Sequence, residues 1–444
     1  MSDENVANIV ATNTYATWSK QRGWKPLNIS KAQGNYFWDS EGKKYLDFSG
    51  QAMCMHLGHQ HPEIIASIES QARELCYIKP RYATEVRANL CERLLEVMPS
   101  GLVKFLFTSS GTAANEAALK IARQFTGKRK IISRYNSYHG STAASISVSG
   151  DFRRWYHEPT GVVPNTIFAP DTNCFKCALN HVPETCNTAC VSYIEYILEN
   201  ENDVAAVIVE PIVGTNGVLI PPDDYLLRLR KICTSKNIVL IFDEVMSGWY
   251  RTGKWFACDH WRTVPDILTT AKGITSGATP LAVTATNGAI ARFFDDELLA
   301  VGHTYASHPL SMSPAIKTIE IMSRPGFSEH ITKMSNYLRE RLLLLKGKHT
   351  SVVDVRGKGL FFAVEICSNI AEKSPFNTMR DKFECKPTMT MKIAERLMSK
   401  GVYIFPATSH FVLAPPLIVG SKEIDLAIEV FDWALEEADK YCIV

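Results

Sequence analysis

No uninterrupted apolar stretch in these 444 residues approaches bilayer length, so no segment reads as a transmembrane helix. Charge of one sign is also missing. Lys plus Arg number 48 and Asp plus Glu 46, for a formal net charge of +2, and neither sign forms a long run. The chain therefore gives no reason to expect nucleic acid or an anionic membrane as a partner. The start, MSDENVANIVATNTY, lacks the basic opening and apolar core of a secretory signal, so a cytoplasmic protein is expected. There is no internal repeat and no low-complexity linker. No Walker loop or GxGxxG fingerprint is present, and the twelve histidines show no HExxH pairing, so no catalytic metal is assigned. VRGKGLF (355 to 361) reads as a tight turn into a strand rather than a nucleotide loop. Twelve cysteines in so long a chain do not make the disulfide framework of a small secreted domain.

What is present is the balance of a globular protein, 46% hydrophobic and 21% charged, with enough chain for a core shared by two or more lobes. Helical and strand patterns alternate through the middle, as in a mainly parallel sheet flanked by helices. VKFLFT (103 to 108), KIISRY (130 to 135), VAAVIVEPIV (204 to 213), IVLIFDEV (238 to 245) and ILTTA are apolar runs of strand length. An alanine-rich stripe from Ala113 to Phe125 and YLLRLRKICTSK (225 to 236) read as helices. From about Arg324 the pattern becomes less regular, suggesting a smaller α+β lobe.

In an open α/β sheet, ligands bind at the carboxyl ends of the strands. Ser109 to Thr112, Glu210 and Asp243 are thereby projected toward one crevice. The segment TSSGTAANEA (108 to 117) joins strand to helix through small and hydroxyl residues. Its backbone N–H groups and helix dipole suit a phosphate, with Ser110, Gly111 and Thr112 as holders, although a plain capped turn has the same composition. Asp243 ends a buried strand, where a carboxylate needs a cation: a protonated pyridine nitrogen, or a structural ion pair. Lys272, 29 residues later in the small-residue turn TTAKGITSG, could become a nucleophile and proton carrier if shielded from water. Taken singly, it would be a surface lysine.

SGTAANEAALKIAR, SYHGST, VIVEPIVGTNGV, IFDEV, AKGITSG and HTYASHP, in this order across nearly the whole chain, resemble the class III aminotransferases of the pyridoxal-phosphate fold type I family. The resemblance implies an α/β fold with a mainly parallel sheet in a large domain and a smaller α+β domain. The expected division is an N-terminal segment 1–60 serving the small domain and the active site, a cofactor-binding domain 61–324 and a C-terminal domain 325–444. It also implies a homodimer with active sites at the interface, or a tetramer. Lys272 would hold pyridoxal 5'-phosphate as a Schiff base and carry the proton, Asp243 would pair with the pyridine nitrogen, and Ser110, Gly111 and Thr112 would bind phosphate. Tyr138 would stack on one ring face with His139 beside it, Val245 would cover the other, Glu210 would belong to the same site, and Thr304 would reach the phosphate from the neighbouring subunit.

Two departures bear on substrate. Met246 follows the DEV triplet where relatives acting on glutamate-like donors often carry Gln, and Val412 stands where many have an acid-binding arginine before the APPL segment. Another cation must then recognise the substrate acid. GDFRRWYHEP supplies Arg153 and Arg154, of which Arg154 is favoured, and Trp18 resembles a pocket aromatic of relatives with ω-amine substrates. With WYRTGKWFACDHW (249 to 261), these features look most like the branch acting on taurine, β-alanine or similar ω-amino acids. The amine would pass to a keto acid, pyruvate or 2-oxoglutarate, by a ping-pong transamination. The rival readings are an aminomutase or racemase on the same fold and a non-catalytic, zinc-stabilised scaffold. Cys174, Cys177, Cys186 and Cys190, spaced C-x2-C-x8-C-x3-C, fit either a closed zinc site or reduced thiols in an insert familiar from class III chains, and the thiols are preferred.

Overall fold

The computed structural model describes residues 3–444. Strands Ile29–Gln33 (β1), Tyr36–Asp39 (β2) and Lys44–Asp47 (β3) form an antiparallel meander near the amino terminus.

The main sheet contains Leu102–Thr108 (β4), Lys130–Arg134 (β5), Thr166–Ala169 (β6), Val204–Val209 (β7), Val239–Asp243 (β8), Ile267–Thr270 (β9) and Ala282–Asn287 (β10), in the order β4-β10-β9-β8-β7-β5-β6. β5 to β9 pair in parallel, and β10 is antiparallel to both neighbours, β9 and β4. Two antiparallel steps restore direction, so β4 runs with the parallel set. The carboxyl ends of β4, β7, β8 and β9 thus share one edge, which is why residues scattered over 160 positions of sequence can meet there. Every residue of β7, β8 and β9 is buried, as a parallel sheet covered on both faces requires.

The apolar run 204 to 213 stays in the sheet only to Val209. Pro211 cannot donate to the ladder, and the chain leaves the sheet at Glu210. β8 stops at Asp243 because its own Oδ1 accepts the Val245 N–H at 3.0 Å, turning the chain. The helix Gly111–Thr126 buries Ala114, Ala117, Ala118, Ile121 and Ala122 against the sheet, and its alanines permit the close approach. Ser110 caps its start, accepting the Ala113 N–H at 3.2 Å, and Gly127 ends it at φ +66°.

After the 22-residue helix Phe327–Lys348, Val352–Lys358 (β11), Phe361–Asn369 (β12), Ser374–Pro375 (β13), Phe405–Pro406 (β15) and His410–Leu413 (β16) form a second antiparallel sheet. Gly359, at φ +59°, makes the β11–β12 turn. Val402–Tyr403 (β14) instead pairs in parallel with β3, so the amino-terminal meander and the carboxyl-terminal third share a sheet. Among the described residues no helix is long and apolar enough to cross a membrane.

Candidate active site

Asp243 is 4% exposed. Its Oδ2 accepts from Asn115 Nδ2 at 2.8 Å and faces His139 Nδ1 at 2.8 Å. That contact places the imidazole hydrogen on Nδ1, and the buried His139 Nε2 has no partner. Among the described residues no Lys or Arg lies within ion-pair distance of this carboxylate. A buried carboxylate with spare lone pairs on Oδ1 is a receptor for a cation, since an unmet charge there costs several kcal/mol.

Lys272 opens the 3-10 turn Lys272–Thr275 immediately after β9, in the left-handed region at φ +49°. Its Nζ donates to the Ala52 carbonyl at 3.0 Å. Burial pulls the ammonium below its ordinary pKa, opposed by Cys54, Asp243 and Glu210. Gly273 follows because a Cβ there would stand 2.6 Å from the ring of the buried His56.

The turn after β4 closes around these groups. A Cβ on Gly111 would meet the Val245 methyls at 2.8 and 2.9 Å, so Val245 lies directly against the helix start. The Thr112 hydroxyl packs on Gly140, where a Cβ would stand 2.8 Å from it. His139 is anchored by its N–H on Ser149 Oγ at 2.8 Å and its carbonyl on Asn115 at 2.7 Å.

Glu210 accepts from the N–H groups of Tyr138 at 3.1 Å and Gly214 at 2.8 Å. These take the place of an arginine partner, and Val412 is wholly buried within β16. Burial pushes the Glu210 carboxyl up to about 7; nearby Asp243 adds to the rise, and His139 and the two N–H donors oppose it. The folded chain therefore holds this proton more tightly than the unfolded one. Its stabilising contribution is complete below about 4.5 and is lost as pH rises through about 7. Glu210→Gln, neutral throughout, is expected to gain about 2 °C or more in Tm relative to the parent between pH 5 and pH 8. A pH-independent difference in a pair of melting series would contradict this.

The Tyr138 ring carries the Arg153 guanidinium at 3.8 Å from its centroid, and Trp18 meets it edge-on at 6.5 Å. Arg153 bonds Asp151 Oδ2 through Nε and Nη2, which leaves its Nη1 edge for another acid. Arg153 and Trp18 line a cavity of about 1120 Å³, whereas Arg154 does not. Arg154 pairs with Glu158 and lies 4.5 Å over the Phe168 ring, so the structure does not bring it to Tyr138. Met246 fills the space beside Gly214, where its Sδ lies 2.2 Å from the position a Cβ would take. Thr304 sits on an exposed turn, its carbonyl accepting from the Tyr77 hydroxyl at 3.0 Å.

Cys174, Cys177, Cys186 and Cys190 are free thiols. Among the described residues no group of three or more His, Cys, Asp or Glu is disposed to hold a metal ion. Burial, with Cys174 adding to it, raises the Cys190 thiol to about 12.

Sequence reasoning passed over Asn115, which ties Asp243, the His139 carbonyl and Thr269 Oγ1 (2.6 Å) together. Its signal was a polar residue inside an alanine stripe that had to be buried and satisfied. The assembled groups suit one planar ligand: a cationic ring nitrogen at Asp243, a carbonyl carbon at Lys272, a phosphate at the Gly111–Thr112 helix start, and walls from Val245 and Tyr138.

Comparison with known proteins agrees with that fit. The class III aminotransferase family model matches residues 17–435. The taurine–pyruvate aminotransferase of Bilophila wadsworthia is 33% identical, covering 98% of each chain. The leucine/methionine racemase of Thermococcus litoralis is 30% identical over 94% of this chain and 92% of its own. The taurine:2-oxoglutarate aminotransferase from Bifidobacterium kashiwanohense, solved with pyridoxal phosphate and glutamate, superposes with a TM-score of 0.94 at 32% identity, covering 100% of this chain and 99% of that one. The chain belongs to the class III aminotransferases, enzymes of the fold type I architecture that work with pyridoxal phosphate.

Proposed function

We propose that this enzyme moves the amino group of a short ω-amino acid, of the taurine or β-alanine type, to a keto acid such as pyruvate or 2-oxoglutarate. The observation that carries the reading is the Arg153 guanidinium held over Tyr138 beside Trp18, in the cavity, while Val412 leaves no arginine on β16. A guanidinium edge takes a carboxylate or sulfonate through two parallel hydrogen bonds. An acid held there keeps the far-end amine of a short substrate available to the Lys272 side of the site.

Pyridoxal phosphate, when bound, supplies an electron sink and carries the amino group between the two half-reactions. Lys272 anchors it and, with its pKa lowered by burial, moves a proton at the substrate carbon. Asp243, braced by Asn115 and His139, keeps a ring nitrogen protonated. The start of the helix Gly111–Thr126 holds phosphate, and Val245 and Tyr138 limit tilt. From the family resemblance the assembly is a homodimer in which the exposed Thr304 serves the neighbouring site; light scattering tests the dimer. The setting is cytoplasmic in this reading, and the sheet topology supports division near residues 60 and 324.

A panel of amine donors against pyruvate and 2-oxoglutarate tests the reading. New amino acid should form only when keto acid is added; isomerised or racemised donor without keto acid would instead favour the chemistry named for the Thermococcus relative. Arg153→Ala is expected to raise KM for the ω-acid donor about 10- to 100-fold with a smaller change for an uncharged amine, the range for losing a charged hydrogen bond. Arg154→Ala should leave both near the parent values. A reversed pattern would move acid recognition to Arg154.

A further inference from the structure

Arg153 acts electrostatically on two other cations. Its charge adds to burial in lowering the pKa of both Lys272 and Lys382. Lys382 belongs to the short helix Met379–Phe383, more than 200 residues away in sequence. That helix packs on the 3-10 turn Phe152–Tyr156: Phe383 lies 5.5 Å from the Trp155 ring and 4.5 Å from Tyr156, and Arg380 lies 4.8 Å over Trp155. Aromatic contacts thus hold the two cation-bearing segments in a fixed relation, and both side chains line the same cavity.

The acids nearest Lys382 in sequence are already engaged. Lys386 takes Asp381 at 3.0 Å and Glu384 at 2.8 Å. Among the described residues Lys382 has no carboxylate within ion-pair distance; the contact of its Nζ is Met391 Sδ at 3.7 Å. A partly buried ammonium without a counter-ion gains most when an anion enters beside it.

We propose that Lys382 is a second acid-recognising residue, which together with Arg153 binds a dicarboxylate, one carboxylate at each cation. The enzyme then prefers a dicarboxylic keto acid such as 2-oxoglutarate over pyruvate as amino acceptor. This rests on the assignment of Arg153 to the substrate acid and goes beyond it by naming the acceptor class.

The test titrates the holoenzyme calorimetrically with glutarate and pentanoate, five-carbon chains differing by one carboxylate, alongside steady-state kinetics with 2-oxoglutarate and pyruvate. Lys382→Met, which keeps length and loses charge, should weaken glutarate binding and raise KM for 2-oxoglutarate about tenfold or more. Pentanoate binding, KM for pyruvate and kcat should stay within about twofold, and Lys382→Arg should restore the glutarate preference. Equal binding of both acids by the parent, or equal effects of Lys382→Met on both, would overturn the inference. Arg153→Ala separates the two assignments: if it leaves pentanoate unchanged, the reading of Arg153 fails, whereas a glutarate preference that Lys382→Met leaves unchanged removes only the second subsite.

Discussion

Lys272→Ala is expected to lower kcat by about 10⁴-fold or more and to abolish the visible absorbance of lysine-bound cofactor. The side chain leaves one hydrogen bond behind, to the Ala52 carbonyl, so folding should survive. Backbone strain at φ +49° is shared by Lys and Ala and does not distinguish the variants. Normal turnover in Lys272→Ala, measured on protein with an unchanged far-UV spectrum, would remove Lys272 from the chemistry. The effect should fall on kcat rather than on acid binding, because Arg153 and Trp18 are untouched.

Asp243→Asn should cost about 10²- to 10³-fold in kcat, the range seen when a preorganised partner of developing charge is removed. Asparagine keeps nearly the same shape and its Oδ1 can still accept from Val245 N, while the oxygen that accepts from Asn115 and the negative charge facing His139 and the ring nitrogen are gone. KM for the donor should change by less than about threefold, because the acid-binding edge of Arg153 lies elsewhere. A variant that loses KM and retains kcat would place Asp243 among substrate contacts instead. Asn115→Ala offers a graded comparison: it removes one brace from Asp243 and leaves the carboxylate charge, so its kcat should fall between the parent and Asp243→Asn.

The strand-end groups were legible because the physics is local. Apolar β-branched runs that stop at a polar residue put Glu210, Asp243 and Lys272 at carboxyl ends, and parallel pairing of β7, β8 and β9 brings those ends to one edge. β10 was less visible. Its alternation of Ala and Thr suits an antiparallel strand, but only pairing with β9 and β4 gives it a place. The choice between Arg153 and Arg154 also lay beyond sequence reading. Neighbours on a 3-10 turn point about 120° apart, and the direction was settled by Asp151, which accepts from the Arg153 backbone and guanidinium, and by Glu158, which draws Arg154 away. Asn115 and Lys382 act through partners distant in sequence, Asp243 at 128 residues from the first.

Borohydride reduction of the purified holoenzyme, followed by mass mapping of its peptides, tests the central assignment most directly. The expected product carries the pyridoxyl group on the peptide containing Lys272, with none on the Lys272→Ala variant. A label on another lysine, or a protein that takes up no cofactor, would contradict the site built on Lys272 and Asp243.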